Sequence, residues 1–173
     1  MKKLLSITLT ALLVLFASQA FGQSESDAIH ASAEVQTAIQ FANIQNVDFG
    51  TISDNENSIL NPTEGNLTEQ NVGADASLGS IEITGGGSAT ISWDNATLAE
   101  VSDNTSTLNF VPTITDGSTT LNSGSSELTL SDSAITLSIG GELEDVATEG
   151  AGSYDTNNDG GEPLVITLQY TSN

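Results

Sequence analysis

Apolar and polar residues alternate one by one along most of this chain. In residues 31–41 the apolar side chains fall on one face of an extended strand, and the polar side chains fall on the other. The same period of two returns in residues 81–83, 89–93, 128–130, 135–139 and 164–170. No segment after residue 22 keeps the 3.6-residue period of an amphipathic helix. The pattern predicts an all-β protein.

Glycine, asparagine, aspartate and serine residues separate these runs. Gly85-Gly86-Gly87 lies between two of them and predicts a hairpin turn. Gly140-Gly141 predicts the end of a strand, and the alternative is a kink after which residues 143–146 continue the strand. Residues 47–52 form a further short run, whereas residues 53–77 indicate a long loop with room for one short edge strand. About eight to nine short strands joined by such turns predict a single antiparallel β-sandwich.

The first 22 residues match the three parts of a secretory signal peptide. Lys2 and Lys3 supply its positive start, and residues 4–16 supply its apolar stretch. Ser18-Gln19-Ala20 is a small-residue cleavage site, and Ala20-Phe21-Gly22 is a second one. We therefore expect residues 1–22 to be a signal peptide and residues 23–173 to form one domain. The expected location is outside the bacterial cytoplasm: secreted, periplasmic or at the cell surface.

Acidic and basic residues differ strongly in number and in position along the chain. The chain holds 23 Asp and Glu residues, and its two basic residues, Lys2 and Lys3, precede all of them. It has no cysteine, which excludes disulfides and thiolate metal sites. A polyanion repels nucleic acid, and no apolar run after the first segment is long enough to cross a membrane. We expect no nucleic-acid partner and no transmembrane segment in the mature chain.

One loop resembles a calcium-binding loop. Residues 155–160 read D-T-N-N-D-G, which places oxygen ligands at alternate positions before a glycine. The candidate metal ligands are Asp155, Asn157, Asp159 and Glu162. Ile166 stands where such a loop has its bidentate glutamate, so a calcium site here would be weak. The alternative is a plain turn, because the same residue types favour turns for conformational reasons. No other cofactor is expected.

The chain offers little for catalysis. His30 is its only histidine, and it lies just before the first alternating run, so a Ser-His-Asp triad is not supported. Paired carboxylates cleave glycosides in aromatic clefts, but aromatic residues are few, and Trp93 falls in phase with the core residues Ala89 and Ile91. We predict that the protein is not an enzyme and that Trp93 belongs to the core.

Several short motifs match a known family. The resemblance rests on four elements of the sequence. They are residues 31–35 (ASAEV), residues 47–52 (VDFGTI), residues 137–143 (LSIGGEL), and the pair formed by GSY at 152–154 and LVITLQY at 164–170. In this respect the chain resembles the secreted bacterial family called domain of unknown function 4402. The resemblance implies a pilin-like or immunoglobulin-like β-sandwich, with no catalytic residues to transfer. The acidic loop at residues 155–162 is longer than the corresponding turn of that family.

These observations predict a non-enzymatic, strongly acidic domain with a structural or adhesive role at the cell surface. One alternative is a fimbrial-type subunit that polymerises by β-strand exchange, since long alternating runs lie near both chain ends. Another is a calcium-dependent binding module. Self-association and a separate surface partner are both open.

Overall fold

Eleven β-strands and one helical turn form in residues 37–63, 66–102 and 105–171, the part of the chain that the computed structural model describes. The strands are β1 Gln40–Gln45, β2 Ser58–Thr63, β3 Asn66–Gln70, β4 Gly79–Thr84, β5 Gly87–Trp93, β6 Ala96–Glu100, β7 Thr107–Thr115, β8 Glu127–Leu130, β9 Ile135–Glu144, β10 Tyr154–Asp155 and β11 Ile166–Tyr170. The helical turn, α1, spans Val146–Glu149. All these residues belong to one compact unit, Val35–Asn173.

The strands form two antiparallel sheets of unequal width. The larger sheet has the order β1-β4-β9-β7-β6-β10, and β2 and β3 form a hairpin attached to β9. Strand β9 lies between β7 on one side and both β4 and β2 on the other, which makes it the central strand. The smaller sheet has only three strands, in the order β11-β5-β8. The predicted all-β antiparallel sandwich is confirmed.

The alternating sequence determines which side chains enter the core. In β4 every second residue is buried, including Ile81 and Ile83, and the residues between them are only partly covered. Strands β5 and β9 follow the same rule with Ile91 and Leu137, both of which are fully shielded. Successive side chains of a strand point to opposite faces, so this spacing directs one face of each strand inward.

Two groups of buried side chains form the core. The first lies between the two sheets and contains Ile81, Ile83, Ala89, Ile91, Ile114, Leu121, Leu128, Leu130, Leu137 and Ile139. The second contains Phe49, Leu60, Ala96, Leu108, Phe110, Leu143 and Val146. No strand of the smaller sheet contributes a buried side chain to this second group. It is covered instead by the loop around Phe49, by α1 and by neighbouring loops.

The hairpin predicted at Gly85-Gly86-Gly87 is wrong. Strand β4 pairs with β1 and β9 in the larger sheet, whereas β5 pairs with β11 and β8 in the smaller one. The chain therefore changes sheets at Gly85 and Gly86. Glycine suits this corner because a Cβ on Gly85 would lie 3.1 Å from Cδ1 of Leu130 and 3.4 Å from the Tyr170 hydroxyl. The Gly86 amide also donates a hydrogen bond to the Thr37 carbonyl.

The strand end predicted at Gly140-Gly141 is also wrong, and the alternative of a continuation beyond the glycines is correct as far as Glu144, where β9 ends. At the two glycines three strands come very close together. Gly141 stands opposite Leu60 of β2 on one side and Pro112 of β7 on the other. Its φ of 154° and the lack of a side chain let Phe110 occupy the space, since a Cβ would lie 2.7 Å from Cε2 of that ring.

Three other segments differ from the expected pattern. Residues 47–52 do not form a strand; only Asp48 pairs, in a single bridge with Ser77. A left-handed turn at Gly50, with φ of 65°, bends the chain away from an extended path. The predicted loop at residues 53–77 contains the β2–β3 hairpin. Of the run predicted at residues 31–41, residues 37–39 are not in a strand, and the first described strand begins at Gln40; residues 31–36 lie outside the described residues.

Several carboxylates in the described part of the chain accept hydrogen bonds from uncharged groups. Lys2, Lys3 and His30 all lie outside this part, so no cationic side chain is present in it. Asparagine amides donate to Glu82, Glu142 and Glu144 at 2.6, 3.0 and 2.7 Å. The buried Glu100 accepts bonds from the amide and hydroxyl of Ser102, each at 2.7 Å. Amide and hydroxyl groups thus take the place that lysine and arginine have in most proteins.

Candidate functional site

A groove of about 990 Å³ runs over the inner face of the larger sheet. Its floor consists of side chains from four strands: Ile81 of β4, Ala96 and Leu98 of β6, Leu108 and Phe110 of β7, and Ile139 and Leu143 of β9. Most of these residues belong to the second core group, which the smaller sheet leaves uncovered. The groove therefore follows from the mismatch in width between the two sheets.

Two segments form the walls of the groove. One wall is the end of β1 and the chain after it, residues 44–52; the other consists of residues 152–157 and 163–166. Aromatic rings give the groove a rigid base. Phe49 and Phe110 meet edge to face, with centroids 5.8 Å apart and planes at 80°. The Tyr154 hydroxyl donates to the carbonyls of Glu149 and Gly150 at 3.1 Å, which anchors the second wall.

Three large apolar side chains along the groove are exposed to solvent. Phe41 is 43% exposed, Ile44 68% and Val165 63%. Single exposed apolar residues are common, but three around one apolar cleft indicate a contact surface. Val101, at 53%, is a fourth exposed apolar residue, and it does not line the groove.

The groove also lies between two strand edges that no other described strand pairs with. β1 is the last strand at one side of the larger sheet, and β11 is the last strand at one side of the smaller sheet. Among the described residues, neither has a partner strand on its outer side. A free edge presents backbone N–H and C=O groups that can pair with an added strand.

Ionisable side chains are few along the groove. Among its lining residues only Asp48, Tyr154 and Asp155 can ionise. Asp48 accepts a hydrogen bond from the Gly50 amide at 2.8 Å, and Asp155 accepts two from Asn157 at the same distance. Both carboxylates therefore stabilise turns in the walls. The arrangement favours contact with an apolar, extended ligand over charge chemistry.

The four candidate calcium ligands lie on one loop, residues 155–162, and two of them, Asp155 and Asn157, line the groove. Asp155 pairs with Ala99 of β6 and Glu162 bridges to Thr97 of the same strand, so the loop is fixed at both ends. The backbone amide of Asn157 donates a hydrogen bond to Oδ1 of Asp155, which forms an Asx turn, and the side-chain amide of Asn157 donates to the same oxygen. Within residues 37–63, 66–102 and 105–171, no three Asp, Glu, His or Cys side chains cluster closely enough to hold a metal ion. The calcium site stays a prediction.

The sequence analysis also named Trp93 and His30. Trp93 is partly buried and packs against the first core group, and its backbone nitrogen and carbonyl both bond to the Ser123 hydroxyl. His30 lies outside the described residues.

The groove itself was not predicted from the sequence, because Ile44 and Val165 have the same residue types as core positions. In the described ranges no helix is long and apolar enough to span a membrane.

Comparisons of this chain with protein-family models, with curated proteins and with solved structures found no match in any of the three. The resemblance to domain of unknown function 4402 therefore stays a prediction.

Proposed function

We propose that this protein is an exported, non-catalytic domain with a structural or adhesive role, and that it acts by holding another polypeptide in the groove. The observation that carries the proposal is the groove over the inner face of the larger sheet, with Phe41, Ile44 and Val165 exposed along it. Burying apolar surface contributes roughly 25 cal/mol per Å², so a partner that covers this groove gains binding energy without any ion pair.

The shape of the groove supports a polypeptide partner over a small molecule. Its volume of about 990 Å³ is at the upper end for ligand pockets, and it is bounded by two strand edges. An extended chain can use both features at once. Its backbone pairs with an edge, and alternate side chains enter the apolar floor.

The acidic surface agrees with a role outside the cell. Twenty-three carboxylates keep the protein hydrated and reduce non-specific association with other anionic molecules. Specific contact is then confined to the groove, where apolar side chains dominate the lining and only Asp48 and Asp155 are acidic.

The test uses the surface of the producing cell. Labelled wild-type protein and the variant Ile44→Asp/Val165→Asp are added to cells from which the gene has been deleted, and the retained fraction is measured. We expect the variant to bind about tenfold more weakly, because two apolar contacts are replaced by desolvated charges. The matched control is Val101→Asp, which alters an apolar residue that is 53% exposed and lies away from the groove. Equal retention of all three proteins would contradict a groove-based role.

A further inference from the structure

We infer that the partner held in the groove is a polypeptide segment that is both apolar and basic. Its apolar side chains contact the groove floor, and its lysine or arginine side chains contact Asp48 and Asp155 on the two walls. This inference rests on the proposed function and names the chemistry of the partner. It follows from the position of the two carboxylates, from the apolar side chains exposed beside them and from the charge of the chain.

The two carboxylates stand on opposite walls of the groove. Asp48 follows the end of β1 and lines the first wall, whereas Asp155 ends β10 and lines the second. Both residues are exposed. Asp75 adds a further carboxylate to the first wall, where its Oδ1 leaves no room for a side chain on Gly50. Two more acidic residues follow Asp155 later in the same loop. Negative charge therefore flanks the apolar floor on both sides.

Each of the two carboxylates has one oxygen held in place by the protein. Oδ1 of Asp48 accepts the Gly50 amide, and Oδ1 of Asp155 accepts both amides of Asn157, all at 2.8 Å. No hydrogen bond among the described residues uses Oδ2 of either carboxylate. The turns fix both side chains, so a cation meets acceptors that lose little further freedom on binding. Contact with a single oxygen suits an ammonium as well as a guanidinium.

The cation has to come from another protein. The described residues include no lysine, arginine or histidine, and the chain's two basic residues, Lys2 and Lys3, belong to the expected signal peptide. A second copy of this chain would bring more carboxylates to the groove, because its acidic residues are spread from Glu25 to Glu162. Like charges that meet across an interface repel each other. Charge complementarity therefore favours a basic partner over a second copy.

The exposed apolar side chains make basic charge alone insufficient. Ile44 lies on the same wall as Asp48, and Val165 lies on the same wall as Asp155. Lysine and arginine pack their aliphatic stems on apolar surface while the charged end reaches a polar group. A basic segment without apolar residues would contact the carboxylates but leave Ile44, Val165 and Phe41 in water. The groove thus distinguishes an apolar basic segment from a merely basic one.

The ion pairs contribute to specificity and to the rate of association more than to affinity. Complementary charge raises association rates by orders of magnitude at low salt, and each exposed ion pair adds only about 0.2–1 kcal/mol. Screening shortens the reach of these charges to about 8 Å at physiological ionic strength. Binding should therefore weaken as NaCl is raised. The same screening reduces repulsion within the fold, so weaker binding at high salt cannot come from unfolding.

The experiment measures binding of the mature protein to two immobilised synthetic peptides by surface plasmon resonance. The first peptide alternates leucine and lysine over about twelve residues, and the second has serine in place of each leucine. The variant Asp48→Asn/Asp155→Asn removes both groove charges but keeps Oδ1 as an acceptor, so the turns are retained. The matched control, Glu127→Gln/Asp132→Asn, removes the same charge at two exposed residues that do not line the groove.

At about 50 mM NaCl we expect the groove variant to bind the leucine–lysine peptide about fivefold more weakly than the wild type, with slower association. The control should lose less than about twofold. Equal losses in both variants would overturn the inference, because the attraction would then come from overall charge. The wild type alone gives a second check: equal affinity for the two peptides, or affinity unchanged by about 0.5 M NaCl, would also overturn it.

Retention on gene-deleted cells separates this inference from the proposed function. The charge variant Asp48→Asn/Asp155→Asn is compared there with Ile44→Ser/Val165→Ser, which adds no charge that could itself attract a basic partner. Both should be retained about fivefold less than the wild type. Full retention of the charge variant beside loss of the serine variant would overturn the basic partner and leave the groove-based role standing. Full retention of both would contradict the proposed function as well.

Discussion

Replacing Gly140 by alanine tests the most crowded point of the fold. Gly140 lies in the central strand β9, and a Cβ there would overlap the carbonyl oxygen of Leu60 in β2. The same atom would lie 2.7 Å from Cδ of Pro62 and 2.8 Å from Cδ2 of Leu78, distances that real Cβ atoms essentially never show. The proline ring cannot rotate away, so β2 as a whole has to move.

The loss of folding free energy depends on how much of its pairing with β9 strand β2 gives up when it moves. It is held to β9 by three residue pairs, Ser58–Leu143, Ile59–Glu142 and Leu60–Gly141. A net loss of about 1 kcal/mol for each of two backbone hydrogen bonds, added to overpacking of 1–3 kcal/mol, gives a destabilisation of about 3–5 kcal/mol. For a domain of this size each kcal/mol lowers the Tm by about 2–4 °C. We expect Gly140→Ala to lower the Tm by at least about 6 °C.

The assay is thermal unfolding followed by circular dichroism. The matched control is Gly117→Ala, because Gly117 has a φ of 88° but no atom lies within 4 Å of the added Cβ. The control loses only about 1–2 kcal/mol through left-handed backbone strain. The reasoning fails if Gly140→Ala unfolds within 2 °C of the wild type, or if it is less destabilised than Gly117→Ala.

Three further predictions concern charge. The pKa of Asp116 is lowered by hydrogen bonds from the backbone of Thr119 and then from Ser118. Its contribution is therefore present above the unfolded pKa, near 3.9, and is lost as the pH falls through the lower folded pKa. The difference in Tm between wild type and Asp116→Ala should shrink below about pH 4, and a constant difference from pH 7 to pH 2 would refute this. Raising NaCl from about 10 mM to 1 M should raise the Tm, because screening weakens repulsion among carboxylates; a flat profile would count against it. Millimolar calcium should raise the Tm of the wild type more than that of Asp155→Asn/Asp159→Asn, as expected for a weak site. An equal rise in both proteins would assign the effect to screening and leave the loop a plain turn.

Much of the fold could be predicted from side-chain alternation alone. The period of two located β4, β5, β8, β9 and β11, because a strand with one buried face must place apolar residues at every second position. It could not show which sheet each strand joins. The glycines at residues 85–87 are compatible with a hairpin and with a corner between sheets, and only packing against Leu130 and Tyr170 decides between them.

The limits on predicting the site have a different cause. The groove exists because three strands face a wider sheet, and the number of strands in each sheet depends on long-range pairing. Nothing local marks Ile44 or Val165 as exposed. The loop at residues 155–162 shows the opposite problem, since a calcium loop and an Asx turn use the same residues.

The carboxylates bonded by amides and hydroxyls have a consequence for behaviour in acid. Two effects unfold most proteins at low pH: hydrogen-bonded carboxylates become protonated, and lysines and arginines stay positive without carboxylates to balance them. This chain has no lysine or arginine after Lys3, so protonation takes it toward zero net charge and not toward a large positive one. Acid should therefore leave the sandwich compact while removing the repulsion that keeps molecules apart. At pH 2–3 the expected outcome is precipitation of folded protein, not expansion to a molten globule.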